Sequence, residues 1–388
     1  FSLGGSPLQL EAKVASFQKP VVDYHLQSPG VRLASLGMAG EGVAKEEVVK
    51  DLDAKGRLEM TGANPLFRGT VRSSAGTLRD VEFQALEVDF GLRDQTATLD
   101  KLALRAYQGT YNGSGRYDMR EATNPKFAFR SDVRDMDLAG LLGAQMPAAA
   151  NRIQGKLFAD LDLTGAGSGW ETIQQTLRGQ GRVDVQDGVL KDVNLAESVL
   201  SGVTGVPGLS NFISPRIRKK YPDIFATGDT KFDKLGGSVQ IADGRADTRD
   251  LEITARDYSM RGEGYYELRN HLDFKATLFA SKMLSADIID DLKEAKYLAG
   301  ADGRIEIPFR ATGALPNVKP LPDSAIIQKA IGRAVIDKGL EKIFGKPKKD
   351  EPAAPLGPGE TAPEAKPTKK LKPEQELLKK GLEGLFGR

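Results

Sequence analysis

The residue types that most often perform chemistry in proteins are sparse in this chain. It contains no cysteine and only two histidines, His25 and His271. The lack of cysteine excludes disulfides, thiolate zinc sites and a cysteine nucleophile. Both histidines fall within strand-like runs, where we interpret them as structural. Phosphate-binding Gly-rich loops, His-Glu-x-x-His and Gly-x-Ser-x-Gly are also missing, so the residues predict a protein that is not an enzyme.

Four aspartates could suggest a metal site instead. Asp94, Asp187, Asp243 and Asp302 each fall where a turn is predicted, and aspartate is favoured in turns because it hydrogen-bonds the local backbone. We therefore interpret them as turn residues and expect neither a metal nor a cofactor. The dipeptides beginning at Asp187 and Asp243, each Asp-Gly, predict β-hairpins.

The densest basic cluster comprises Arg216, Arg218, Lys219 and Lys220, followed by Tyr221. Two interpretations stay open. The cluster is a solvated helix face, or it contacts phospholipid headgroups. Elsewhere, the only tryptophan, Trp170, opens a short helical pattern, and we expect it to anchor packing.

Composition limits the class of protein. The chain has 388 residues, 40% of them hydrophobic, with a net charge of +2. It can bury a core, and its small charge excess argues against nucleic-acid binding. No run approaches the roughly 18 to 20 apolar residues of a membrane span. Because the chain starts at Phe1 inside a strand-like pattern, we expect a preceding segment, including a membrane anchor, to be missing from it.

An internal repeat organises the sequence. Phe83 to Met119 aligns without a gap onto Phe232 to Leu268, an offset of 149 positions from 83 to 232. Both copies carry a Gly-x-Gly pair, at 113 and 115 and at 262 and 264, of the kind that marks a bend or bulge in a strand. Further similarities join 155–165 to 303–313 and, more weakly, 20–36 to 125–141. Periods of this kind indicate a repeat architecture.

Apolar residues alternate with polar or small ones inside these units, which is typical of strands with one buried face. The fold class expected is mainly β: an elongated, curved antiparallel repeat sheet, groove-like, with short helical insertions. Alternation leaves open whether the apolar face is a closed core or an open groove. The candidate groove residues are Val88, Phe90, Leu92, Leu102, Leu104, Val239, Ile241, Leu251, Ile253, Leu272, Phe274, Ile305, Ile307 and Phe309.

Helices are predicted as short interruptions and at the C-terminus. The internal ones span Leu138 to Met146, Asn194 to Val203, Pro215 to Phe225 and Ser285 to Leu298. An amphipathic helix capped by Ser324 is expected to run to about Phe344. The domain organisation expected is a truncated N-terminal repeat at 1–72, unit 1 at 73–231, unit 2 at 232–323, the amphipathic helix at 324–345, a disordered Pro/Lys-rich linker at 346–372 and a second short amphipathic helix at 373–388.

The segment GQGRVDVQDGVLKDVNLAESVL, from Gly179 to Leu200, resembles the C-terminal region of the AsmA family. So do GKLFADLDLTGAGSGWETIQQTLRGQG before it, FDKLGGSVQIADGRADTRDLEI after it and GALPNVKPLP at Gly313 to Pro322. Members of the family are inner-membrane-anchored periplasmic proteins of Gram-negative bacteria linked to outer-membrane biogenesis. Larger relatives form long β grooves thought to carry phospholipid.

The resemblance implies that this chain binds or conducts phospholipid along an apolar β groove between the inner and outer membranes. Expected partners are phospholipid or another acyl lipid, the membrane surface and an envelope protein reached through the C-terminal helix, but no nucleic acid. The alternative is an assembly factor for outer-membrane proteins that acts through sheet edges and tail helices. The expected location is the periplasm.

Overall fold

The computed structural model describes residues 1–332 apart from 4, 16–17, 33, 35–46, 61–63, 79–80, 146–150 and 315–316. The chain divides into a unit at Phe1–Asp337 and a second at Lys338–Arg388. The linker predicted at 346–372 and the helix predicted at 373–388 lie outside the described residues, as does most of the helix predicted at 324–345. The first unit is described below.

Sixteen antiparallel strands form one sheet in strict chain order, β3 to β18, and β1 and β2 form a separate pair. The strands are β1 Ser2–Leu3, β2 Ser6–Pro7, β3 Gln9–Val14, β4 Val21–Arg32, β5 Val48–Glu59, β6 Leu66–Leu78, β7 Val81–Arg93, β8 Thr96–Ala106, β9 Gly109–Asp118, β10 Lys126–Asp137, β11 Ile153–Ala166, β12 Arg178–Leu190, β13 Thr230–Ala242, β14 Arg245–Thr254, β15 Tyr258–Glu267, β16 His271–Ala280, β17 Glu306–Gly313 and β18 Lys319–Pro322. The sheet is open, with β3 and β18 at its edges. A mainly β, antiparallel repeat sheet is confirmed.

The sequence repeat is a repeat of structure. Its first copy is the meander β7-β8-β9 and its second is β13-β14-β15. In β8 the register shifts between Leu99 and Leu102, opposite the Gly pair of β9. In β14 it shifts between Thr248 and Leu251, opposite the Gly pair of β15. The predicted bulge is therefore present in both copies, and it lies in the strand that faces the glycines.

Short helices interrupt the meander at its connections. They are α1 Leu138–Gln145, α2 Trp170–Thr176, α3 Leu195–Gly202, α4 Pro215–Lys220, α5 Pro222–Phe225 and α6 Lys282–Asp291, with 3-10 turns at Val203–Gly205 and Lys293–Leu298. α1 joins β10 to β11 and α6 joins β16 to β17, so the helix occupies the same place in each repeat. A further helix begins at residue 324 and is described to residue 332.

The main core lies where the helices α3 to α6 pack against β12 to β17. Leu200, Ile217 and Ile288 from the helices are fully buried against strand residues that include Leu278 and Ile307. Two smaller clusters lie elsewhere on the sheet, one around Val31 and Phe83 and the other around Val133 and Met136. Burial is therefore concentrated in the C-terminal half of the described unit.

The prediction of a hairpin at Asp187-Gly188 is wrong. β12 runs through both residues without turning, and Asp187 has a φ of +49°. The register with β11 shifts between Gln154 and Lys156, opposite this point, so the left-handed residue forms a bulge. By contrast, Asp243-Gly244 forms the predicted hairpin between β13 and β14, with φ of +52° and +73°. The left-handed conformation that Asp tolerates serves both a turn and a bulge.

Three local predictions are corrected as well. The last helix is capped by Asp323, whose side chain accepts a hydrogen bond from the backbone N–H of Ile326 at 3.1 Å, so Ser324 is already helical. Trp170 is 63% exposed and does not anchor packing. α6 begins at Lys282, three residues before the predicted Ser285, because Ser281 caps it.

Candidate functional site

The strand register places apolar side chains from every strand between β3 and β17 on the same face of the sheet. One row of directly opposed residues runs Ile253, Met260, Leu278 and Ile307. A second row further along the sheet joins Val71 of β6 to Val88 and Leu102. Because opposed residues share a face, these rows belong to one continuous surface, called the apolar face below.

All the candidate groove residues fall on this surface. Those in strands do so by register, and Ile305, which immediately precedes β17, lies in the same core cluster. Their burial divides them into two groups. Under the helices, Ile253, Ile305, Ile307 and Phe309 are buried. The remaining candidates are half-buried, namely Val88, Phe90, Leu92, Leu102, Leu104, Val239, Ile241, Leu251, Leu272 and Phe274.

Aromatic rings lie across glycines on the uncovered part of the face. The ring of Tyr24 is stacked on that of Phe67 at 5.9 Å, and Phe67 approaches Phe90 at 5.3 Å. A Cβ on Gly56 would be 2.4 Å from the Tyr24 hydroxyl, and one on Gly69 would be 3.0 Å from the Phe90 ring. Each ring therefore occupies the space that a neighbouring side chain would need, and burial raises the pKa of Tyr24.

The same pairing recurs along the sheet. A Cβ on Gly115 would meet Phe129 at 2.7 Å, one on Gly165 would meet Phe127 at 2.5 Å, and one on Gly181 would meet Leu161 at 2.7 Å. Large side chains therefore occupy the space over these glycines, so the apolar face is continuous at these positions. Sequence reasoning singled out Gly115 only as a bend signal, and it missed the role of all three glycines as space for a neighbouring side chain.

The opposite face of the sheet carries charges paired across strands. Arg130 binds Asp162 at 2.6 Å, and Arg310 binds Asp273 through two hydrogen bonds, one of them 2.7 Å long. These guanidinium groups hold the pKa of both aspartates below its ordinary value. A water-accessible trough of about 1100 Å³ lies on this face near Arg182. The sheet therefore has one ionic and one apolar surface.

A partly open apolar cavity lies on the apolar face beside the helical layer, which consists of the helices α3 to α6. Its volume is about 210 Å³. Five of the candidate residues line it: Leu251, Ile253, Leu272, Phe274 and Phe309. The other apolar walls are Leu190, Val193, Leu195, Met260, Ala276, Ala311 and Val318. Several of these come from connections between strands, where no alternation marks an inward-facing residue, and sequence reasoning missed them.

The basic cluster on α4 is paired with acidic side chains of neighbouring helices. Lys220 contacts Asp287 of α6 at 2.5 Å, and Arg216 contacts the same carboxylate at 3.2 Å. Arg218 binds Glu197 of α3 at 2.9 Å, while Lys219 is exposed. Hydrogen bonds from Lys220 and then from Tyr221 lower the pKa of Asp287. Much of the positive charge is thus balanced within the helical layer.

The structure brings together no obvious reactive centre in its described part. His25 in β4 contacts Asp53 across the sheet at 3.0 Å, a contact that lowers the pKa of Asp53. His271 begins β16, far along the strand order from β4. Among the described residues no group of three or more His, Asp or Glu side chains is placed to hold a metal ion. None of the described helices is long and apolar enough to cross a membrane.

The comparison with protein families shows to which family the chain belongs. The sequence profile of the AsmA family matches residues 4–251, more than half of the chain. The chain belongs to the AsmA family. Membership suggests a role associated with the cell envelope. No curated protein and no solved structure matches this AsmA-family chain.

Proposed function

We propose that this AsmA-family chain binds phospholipid, or another acyl lipid, along its apolar face and conducts it between the inner and outer membranes in support of outer-membrane biogenesis. The observation that carries the proposal is the continuity of the apolar face from β3 to β17. Much of that surface is half-buried in the described part of the chain. A contiguous apolar surface that no other described part of the chain covers marks a site that binds something apolar.

Distance and energy both fit acyl chains. Fifteen strands spaced about 4.8 Å apart give an apolar path of roughly 65 Å along the sheet. That is about twice the ~30 Å hydrocarbon thickness of a bilayer. Each methylene removed from water contributes about 0.8 kcal/mol, so a partly covered acyl chain is held without any specific polar contact. Headgroups would remain in water at the margins of the face.

The mechanism needs no chemical step, and we propose that the chain is not an enzyme. The rings that occupy the space over Gly56, Gly69 and Gly115 keep the face apolar where the glycines themselves offer no side chain, so an acyl chain can move along it without crossing a polar gap. We place the protein in the periplasm, tethered to the inner membrane by an N-terminal helix outside this chain. That location is supported by the family.

The test compares neighbouring residues on opposite faces of β13. Ile241 is half-buried on the apolar face and Gln240 is exposed on the ionic face. The purified protein, mixed with phosphatidylethanolamine and phosphatidylglycerol vesicles and re-isolated, is expected to carry lipid detectable by extraction and native mass spectrometry. Ile241→Glu and Phe90→Glu should lose most of that lipid, because each puts a charge where acyl chains lie. Gln240→Glu should retain it. A folded wild-type protein that carries no lipid would refute the proposal.

A second candidate function is favoured by one observation. All six residues of the edge strand β3 are exposed, and an exposed edge can pair with a strand of another chain. An assembly factor could present this edge, together with the C-terminal segment 346–388, to unfolded outer-membrane proteins. Deleting 346–388 separates the two functions. Loss of client binding with unchanged lipid content would favour assembly, whereas loss of neither activity would count against it.

A further inference from the structure

The apolar cavity beside the helical layer differs from the rest of the apolar face because it is walled on several sides. Its base is formed by β14 to β17, with Leu251, Phe274 and Phe309. Its opposite walls are the connection from β12 to α3, represented by Val193, and the segment before β18, represented by Val318. Hydrocarbon in the cavity would be surrounded by side chains, whereas hydrocarbon elsewhere on the face would be covered on one side.

The cations at the cavity do not make it a site for an anion. Lys191 is bound to Asp229 at 2.9 Å, and Arg152 to Asp192 at 3.1 Å. Arg261 bonds Glu252 at 3.0 Å on the ionic face of the sheet. Hydrogen bonds from the Lys191 side chain and then from the backbone N–H of Asp192 hold the pKa of Asp229 below its ordinary value. Each charge already has a partner, so a headgroup would have to displace a carboxylate.

The lining also offers a polar occupant almost no polar surface. A water molecule needs two to four polar partners, and cavities lined by Leu, Ile and Phe stay dry and take up small apolar molecules instead. A volume of about 210 Å³ is below the roughly 300 to 1,000 Å³ of sites that enclose a whole drug-sized ligand. The space therefore suits part of a hydrocarbon chain and not an entire lipid.

We infer that this cavity binds the methyl end of one acyl chain, with the rest of the lipid extended along the uncovered apolar face. The inference rests on the proposed function. It adds a fixed position for the end of the acyl chain and a single orientation of the lipid along the sheet. The chain end lies under the helical layer, and the headgroup lies toward the N-terminal strands. Selection is by hydrocarbon length and not by headgroup, because the ion pairs at the rim leave no free charge.

The probe is palmitic acid carrying a diazirine at its terminal carbon, photolysed on the full chain and mapped by peptide mass spectrometry. The expected adducts fall on cavity residues such as Met260, Leu272 and Phe274. A second palmitic acid with the diazirine beside the carboxyl group should label residues outside the cavity. Equal labelling of the cavity by both probes would overturn the inference.

Variants that fill the cavity with a larger side chain provide a second test. Ala276 lies on the cavity wall, and Ala276→Leu should lower terminal-probe labelling of the cavity about tenfold, the effect of burying roughly two fewer methylenes. Val318→Phe fills the same space from the opposite wall and should act alike. The matched control is Ala128→Leu, because Ala128 is half-buried on the ionic face between Arg116 and Thr164. Circular dichroism establishes that each variant is folded.

The outcomes separate this inference from the proposed function. Two results would overturn the chain-end site and leave lipid binding intact. In the first, the terminal probe labels residues near Phe90. In the second, both cavity-filling variants show unchanged labelling of the cavity. A wild-type protein that takes up neither probe and no phospholipid refutes both. Reduced labelling in the cavity-filling variants, with unchanged labelling in Ala128→Leu, supports the site.

Discussion

At the scale of single residues, the sheet requires glycine at some positions and not at others. A Cβ on Gly181 would come within 2.0 Å of the Asp160 carbonyl oxygen, whereas one on Gly30, also within a strand, would meet nothing within 4 Å. The first glycine is required by the close approach of its neighbours, and the second is not. The sequence shows both as glycines in strands, and only the positions of the neighbouring strands distinguish them.

Single carboxylates of the helical layer also affect stability, and Asp287 is the clearest case. It accepts hydrogen bonds from Lys220 and Tyr221, both at 2.5 Å, and its side chain is 14% exposed. These contacts lower the folded-state pKa of Asp287. A depressed carboxyl pKa stabilises the fold above the unfolded-state value of about 3.9, and this contribution is lost as the pH falls through the lower folded-state value.

We predict that Asp287→Asn lowers the free energy of unfolding at neutral pH and makes its decline below about pH 4 shallower than in the wild type. Urea denaturation between neutral pH and about pH 2 measures both effects. The matched control is Asp290→Asn, because Asp290 is exposed on the same helix and pairs with Lys293. The role assigned to Asp287 is wrong if the two variants show the same pH slope.

At the scale of elements, α3 depends on one capping residue that also joins two connections. Asn194 accepts a hydrogen bond from the Glu197 backbone N–H at 2.9 Å. Its side-chain amide donates to the carbonyl oxygens of Ile224, at 2.5 Å, and Thr227, at 2.8 Å. This residue therefore fixes the start of α3 and holds it against the end of α5.

We predict that Asn194→Ala costs about 2 kcal/mol of stability, more than the ~1 kcal/mol of an ordinary N-cap, because two carbonyl groups also lose their donor. Asn211→Ala, an exposed change in the connection between α3 and α4, should stay within about 0.5 kcal/mol of the wild type. Thermal and urea unfolding give both values. If Asn194→Ala lowers the free energy of unfolding by only about 1 kcal/mol or less, as the loss of an ordinary N-cap does, the two hydrogen bonds to carbonyl groups contribute nothing.

At the scale of the whole described unit, stability and proposed function occupy different parts of one apolar face. Ile307 is fully buried beneath the helices, whereas Phe90 is half-buried on the uncovered part. Both belong to strands with the same alternation. The covered part provides the main core, and the uncovered part provides the surface to which lipid binding is assigned.

We predict that Ile307→Ala destabilises the protein by about 2 to 5 kcal/mol, because it leaves a cavity in a packed core. Phe90→Ala should cost less than Ile307→Ala despite removing more atoms, since the ring is already partly solvated. Urea denaturation of both variants, with lipid content measured in parallel, tests the division. Equal destabilisation would mean that the two parts of the face are packed alike.

The sequence by itself determined the strands, their repeat and the residues that share the apolar face. Those features follow from local chemistry, because a period of two fixes which side of a strand a residue occupies. Within the described residues, the helices lie within a few residues of their predicted positions for the same reason. Local patterns also explain the errors: Asp187-Gly188 has the chemistry of a turn, and nothing nearby in sequence shows that its strand continues.

Only the tertiary structure decided where the apolar face is covered. Ile253 and Ile241 have the same local pattern, yet the first is buried and the second half-buried, because residues distant in sequence form the helical layer. The cavity likewise depends on Val193 and Val318, which meet the sheet from separate connections. Contacts between distant segments set coverage, and alternation within a strand carries no information about them.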